Sequence, residues 1–62
     1  MRLKELREEN NLTQTQVAEL LNVKQNTYSQ YETEKRQLSI EVLIKLAKFY
    51  KVTTDYILEL EN

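Results

Sequence analysis

The chain has 62 residues, with no His, Cys, Gly or Pro, and its 9 basic and 10 acidic side chains leave a net charge of −1. That length allows one domain, 1–62, burying only about 60% of the surface its unfolded chain exposes. Without thiols and imidazoles, disulfides, thiolate nucleophiles and the usual zinc ligands are excluded. Any acid–base chemistry would fall to Asp, Glu, Lys or Tyr.

No apolar run approaches the roughly 20 residues of a membrane span, and the N-terminus lacks a signal-peptide core. A soluble, cytoplasmic protein is expected. The sequence pI of about 5.4 counts against an unselective nucleic-acid binder, which is usually strongly basic. It leaves room for a local basic footprint. Between Lys24 and Arg36 the bases Lys24, Lys35 and Arg36 outnumber the acids Glu32 and Glu34 by one. Charge therefore lends little, and pattern must carry the case.

Asn takes over the punctuation that Gly would supply, because it tolerates left-handed backbone better than other non-Gly residues. Asn10-Asn11 and Asn22 each follow an apolar, helix-periodic segment and read as helix ends. Helix starts are clearer. Thr13 followed by Gln16 is a capping box, and Leu12 with Val17 forms the matching hydrophobic staple. The staple recurs as Val23 with Tyr28, Leu38 with Leu43 around Ser39, and Val52 with Ile57 around Thr53. Together these signals predict helices near 2–10, 14–21, 25–32, 40–50 and 54–60. Short connections favour a compact, all-α, five-helix domain.

The apolar positions agree with that division. Leu3 and Leu6 share one helix face, as do Val17, Ala18 and Leu21. Tyr28 and Tyr31 face inward from the third helix, and Leu43, Leu46, Ala47 and Tyr50 run along the fourth. Val52, Tyr56 and Ile57 close the core. Tyr28, Tyr31, Tyr50 and Tyr56 are expected to pack with their hydroxyls at the rim, rather than to stack on bases or catalyse. Glu8-Glu9 and Glu59/Glu61 read as solvated faces. Carboxylates without a turn-rich loop make a poor calcium site. Leu58 and Leu60 lie beyond the core pattern, as a fraying last turn or part of a dimer contact.

The stretch from Thr13 to Glu32 stands out. Its second helix carries Lys24, Gln25, Asn26, Ser29 and Gln30 on its outward positions, all hydrogen-bonding and none acidic. Ala18 supplies the small residue where two steeply crossing helices touch, and Asn22 the positive φ of the turn between them.

LTQTQVAELLNVKQNTYSQYE, then LSIEVLIKLAKFYKVTTDYIL, resembles the Cro/C1-type helix-turn-helix domain of phage repressors and bacterial xenobiotic-response-element regulators. The resemblance runs from Leu3 to about Leu58 and implies a lambda-repressor-like fold. It implies that the third helix lies in the major groove of double-stranded DNA and reads base edges from its N-terminal residues. Gln25 and Asn26 would lead, since either side chain can bond bidentately to adenine, with Lys24, Ser29 and Gln30 as further base readers. Phosphate contacts would come from the start of the second helix, at Thr13, Gln14 and Thr15, and from Thr27, Thr33, Lys35 and Arg36. The family pattern also pairs an Arg on the first helix with a Glu ending the third, here Arg7 and Glu32. It implies a homodimer on a pseudo-palindromic operator, regulating transcription, as a repressor, without a cofactor, metal or small-molecule ligand.

Three positions depart from that pattern. Asn22 replaces the usual turn Gly. Thr33-Glu34-Lys35-Arg36-Gln37 lacks the common Gly and Pro, and Glu34 adds a charge that phosphate repels. Lys24 takes the N-cap of the recognition helix, where it cannot accept the orphan amide and its charge opposes the helix end. A second reading is a protein-interaction module on the same fold, such as an antitoxin-like partner. An enzyme is remote, because no catalytic constellation is present.

Overall fold

A computed structural model describes residues 1–60. The helices are α1 (Leu3–Glu9), α2 (Gln14–Leu21), α3 (Gln25–Glu32), α4 (Ile40–Tyr50) and α5 (Thr54–Leu58). Two are shorter than expected. α1 starts at Leu3, with Arg2 as its N-cap in non-helical backbone, φ −98° and ψ 24°, its amide bonded to the Ile57 carbonyl at 2.9 Å. α5 stops at Leu58, because Glu59 takes up left-handed backbone at φ 60°. Glu61 lies outside the described residues.

Three helices start on a side-chain cap. Thr13 accepts from the Gln16 amide while Gln16 Oε1 accepts from the Thr13 amide, at 3.1 and 2.8 Å. Ser39 and Thr53 accept from Val42 and Tyr56. Each cap satisfies one of the amides that the first helical turn leaves without a partner.

All five helices end alike. Asn11, Asn22, Glu34, Lys51 and Glu59 each have φ between 56° and 61°. Each donates its amide to the carbonyl three residues back, and the following residue donates to the carbonyl five back. This is the Schellman arrangement, which closes the last free carbonyls of a helix.

In three links the residue after the left-handed one is apolar: Leu12, Val23 and Val52. The same residue is the staple preceding the next cap, so one side chain serves the end of one helix and the start of the next. All three pack against the core. The α3–α4 link alone differs. There Lys35 follows the left-handed Glu34, and Arg36 and Gln37 intervene before the staple residue Leu38.

Leu3, Leu6, Val17, Ala18, Leu21, Tyr28, Tyr31, Leu46, Ala47 and Ile57 form the buried core. Ala18 lets α2 and α3 approach closely. The rings of Tyr28 and Tyr31 meet edge to face at 6.4 Å, a geometry that adds to simple area burial. The expected rim position of the tyrosine hydroxyls is corrected for two of them. Tyr28 is wholly buried, and the Tyr50 hydroxyl is also shut off from solvent. Burial first, then the negative charge of Glu32, pushes both hydroxyls above the ordinary phenol range.

The N-terminus is strapped to α5. The Arg2 guanidinium donates to the Tyr56 carbonyl and lies 4.6 Å from the centre of its ring, a cation–π geometry. On α4, the periodic set named from the sequence is the one that faces the core: Leu46 and Ala47 are buried, Leu43 and Tyr50 pack against them, and Ile40 and Ile44 remain exposed. No helix among the described residues is long and apolar enough to cross a membrane.

Candidate nucleic-acid interface

The α2–α3 unit places the first residues of both helices side by side. Gln14 opens α2, Gln25 opens α3, and Gln25 Nε2 donates to Gln14 Oε1 at 2.7 Å. Two helix N-termini, each with unsatisfied amides and a partial positive charge, therefore share one side of the molecule.

Behind them runs a relay into the scaffold. Gln14 Nε2 donates to Glu32 Oε1 at 3.0 Å. Glu32 also accepts from Arg7, with Nε at 2.7 Å from Oε2 and Nη2 at 3.3 Å from Oε1. Arg7 Nη1 donates to the Leu12 carbonyl at 3.0 Å, in the link just before α2. The Glu32 side chain is only 4% exposed and that of Arg7 13%. Burial works to raise the Glu32 pKa, but the hydrogen bonds from Arg7 and Gln14 outweigh it and hold the carboxyl below its ordinary value. Glu32 raises the Arg7 pKa in turn. The pair is thus fully ionised near neutral pH and well supplied with donors, the condition under which a buried ion pair is tolerated.

Lys24, Gln25 and Asn26 are exposed at the start of α3, with Ser29 and Gln30 half-buried one turn on. Lys24 has extended backbone, φ −75° and ψ 153°, and makes no side-chain cap bond. Gln25 uses one amide hydrogen on Gln14 and keeps its carbonyl oxygen and second amide hydrogen. The family resemblance implied a phosphate contact at Gln14. In the folded chain the Gln14 side chain is engaged at both ends, by Glu32 and Gln25. Gln14 and Thr15 still present backbone amides at the start of α2, where no preceding turn supplies an acceptor.

The remaining polar positions separate into groups. Thr13 is exposed, but its hydroxyl oxygen caps α2. Thr27 is half-buried. The Thr33 hydroxyl donates to the carbonyls of Ser29 and Gln30 at 3.1 and 3.4 Å. Lys35 is exposed and makes no ion pair among the described residues. Arg36 Nε donates to Gln30 Oε1 at 2.9 Å. Sequence reasoning did not find the Gln14–Gln25 bond. The signal available was two Gln residues eleven apart, each opening one helix of the unit. Among the described residues no His, Cys, Asp and Glu group could hold a metal ion.

Comparison with known proteins agrees with this geometry. Residues 3–57 match a family model described as helix-turn-helix. The chain is 44% identical over 57 residues to the HTH-type transcriptional regulator ImmR of Bacillus subtilis (strain 168), covering 92% of this chain and 45% of that protein. It is 39% identical over 61 residues to the uncharacterized HTH-type transcriptional regulator YobD of the same organism, covering 98% and 54%. It is 38% identical over 61 residues to its HTH-type transcriptional regulator AnsR, covering 98% and 53%. The chain spans about half the length of these relatives. No solved structure gave a significant match. With two closely spaced helix N-termini, a five-helix scaffold and a family match over nearly its whole length, this chain belongs to the Cro/C1-type helix-turn-helix family.

Proposed function

We propose that this domain binds double-stranded DNA sequence-specifically and serves a bacterial transcriptional regulator, placing α3 in the major groove. The observation that carries the reading is the relay from Arg7 through Glu32 and Gln14 to Gln25. A free glutamine on a helix surface samples many rotamers. This one is fixed before any partner arrives, with an acceptor and a donor left over. Those two groups match the N6 amino group and N7 of adenine, a pairing worth about 1–3 kcal/mol of discrimination.

Asn26 extends the reading surface, with Lys24 and Ser29 flanking it. The α2 amides at Gln14 and Thr15, with Thr13 beside them, face one phosphate; Thr27, Thr33, Lys35 and Arg36 face others. The domain acts in the cytoplasm without performing chemistry. It represses by occupying an operator, as a homodimer whose two α3 helices meet half-sites about one DNA turn apart.

Selection of bound duplexes from a random pool tests this. Wild type is expected to enrich a pseudo-palindrome. Gln25→Ala should relax preference at one base pair per half-site and leave its neighbours unchanged. Enrichment of no sequence by the wild type would overturn the reading.

A further inference from the structure

The α3–α4 link is the one link between helices that breaks the shared-residue pattern, and its extra residues converge on one residue, Gln30, through both its backbone carbonyl and its side chain. The amides of Lys35 and Arg36 both donate to the Gln30 carbonyl, at 2.9 and 3.2 Å. Arg36 Nε donates to the Gln30 side-chain oxygen at 2.9 Å. Arg36 is exposed and has no carboxylate partner among the described residues.

A guanidinium offers five N–H donors in one rigid plane. With Nε engaged by Gln30, the four N–H groups on the two terminal nitrogens remain, and one from each nitrogen lies parallel to the other along the outer edge. That edge is a fork matched to two oxygens of a phosphate. The acceptor that holds it is neutral, so the charge is fixed in place without being cancelled. A carboxylate in the same position would orient the guanidinium but remove its attraction for an anion.

We propose that Gln30 is a positioning residue and not a base reader: it holds the Arg36 guanidinium beside the last turn of α3, with the terminal fork free to grip one backbone phosphate of DNA. This rests on the reading of α3 as the helix that enters the groove. The N-terminal residues of such a helix go deepest, so its C-terminal end and the following loop rise towards the sugar-phosphate chain. Gln30 then contributes to affinity through Arg36 and carries no sequence information of its own.

The test measures binding to the duplex that wild type selects from a random pool, over a series of KCl concentrations. Arg36→Ala is expected to reduce the steepness of the log–log salt dependence by about 0.9, the loss of one phosphate contact. Gln30→Ala removes no charge, yet is expected to reduce it by at least half as much and to weaken binding by roughly fivefold at low salt. Gln30→Met keeps the aliphatic body without the acceptor and should behave the same way. The double variant should bind no more weakly than Arg36→Ala, and Gln30→Ala should leave base preference unchanged. An unaltered salt slope in both Gln30 variants, or loss of preference at a single base pair, overturns the assignment. Wild type that binds no DNA at any salt overturns this assignment together with the reading beneath it.

Discussion

Lys24 occupies a position that its chemistry does not suit. Thr13, Ser39 and Thr53 occupy the equivalent place on other helices, and each accepts an amide. Lys24 accepts none and sets a cation at the positive end of α3. A missing cap costs about 1 kcal/mol, and the charge adds to this. On the proposed DNA-binding function, the cost would be recovered when a DNA phosphate or guanine lies opposite the ammonium. Lys24→Ser should therefore raise the melting temperature by roughly 4–8 °C, the shift expected of about 1 kcal/mol in a domain this small, and weaken DNA binding. Calorimetry and a binding titration on the same samples check both halves; unchanged binding would remove the functional half. Lys24 was legible as an anomaly because cap chemistry is local. Glu34, Lys51 and Glu59 were not legible as left-handed residues. Such backbone costs a residue with a Cβ about 1–2 kcal/mol, and nothing in their side chains announces it. The pairs of amide bonds that close each helix, and the apolar residue that follows Lys51, hold them there.

Between elements, the Arg7–Glu32 pair ties α1 to the end of α3, and Gln14 brings α2 into the same group. Removing one partner of a buried pair leaves the other uncompensated and costs about 3–5 kcal/mol. A domain of this size has roughly 3–9 kcal/mol of stability to lose. Glu32→Ala is thus expected to leave the chain marginally folded at 25 °C, as measured by urea denaturation. The carboxyl is held below its ordinary value of 4.5 in the folded chain, so its contribution is complete above that pH. It is lost as pH falls through the lower, folded value. Wild type should lose stability below about pH 4.5, and Glu32→Gln should flatten that part of the curve. An identical acid limb in Glu32→Gln would show that other carboxyls govern acid unfolding. The family pattern named Arg7 and Glu32 as partners. It did not name the Gln14–Gln25 bond, which depends on the crossing angle of α2 and α3 and so emerges only once both helices are placed. The four apolar staples, by contrast, needed only spacing, and helix boundaries near them could be set to within a residue.

Taken whole, the molecule has a radius of gyration of 10.6 Å, which is what a compact chain of this length should have. Its architecture was legible because all-helical order comes from local periodicity and from connections too short to allow many topologies. The tyrosine hydroxyls were less legible, since period places Tyr28 and Tyr50 on the core face but cannot say that their hydroxyls are buried rather than at the rim. Leu12, Val23 and Val52 each close one helix and open the next, and this has a kinetic consequence. A helix that forms early fixes the backbone of its successor's first turn, so nucleation passes along the chain instead of starting afresh in each segment. Val23→Ala should then slow folding nearly as much as it destabilises the protein, a φ-value above about 0.5. Leu58→Ala, in the last helix, should mainly speed unfolding. Stopped-flow or temperature-jump relaxation would distinguish these outcomes. A Val23→Ala chain that folds as fast as wild type would mean that the helices form separately and dock afterwards.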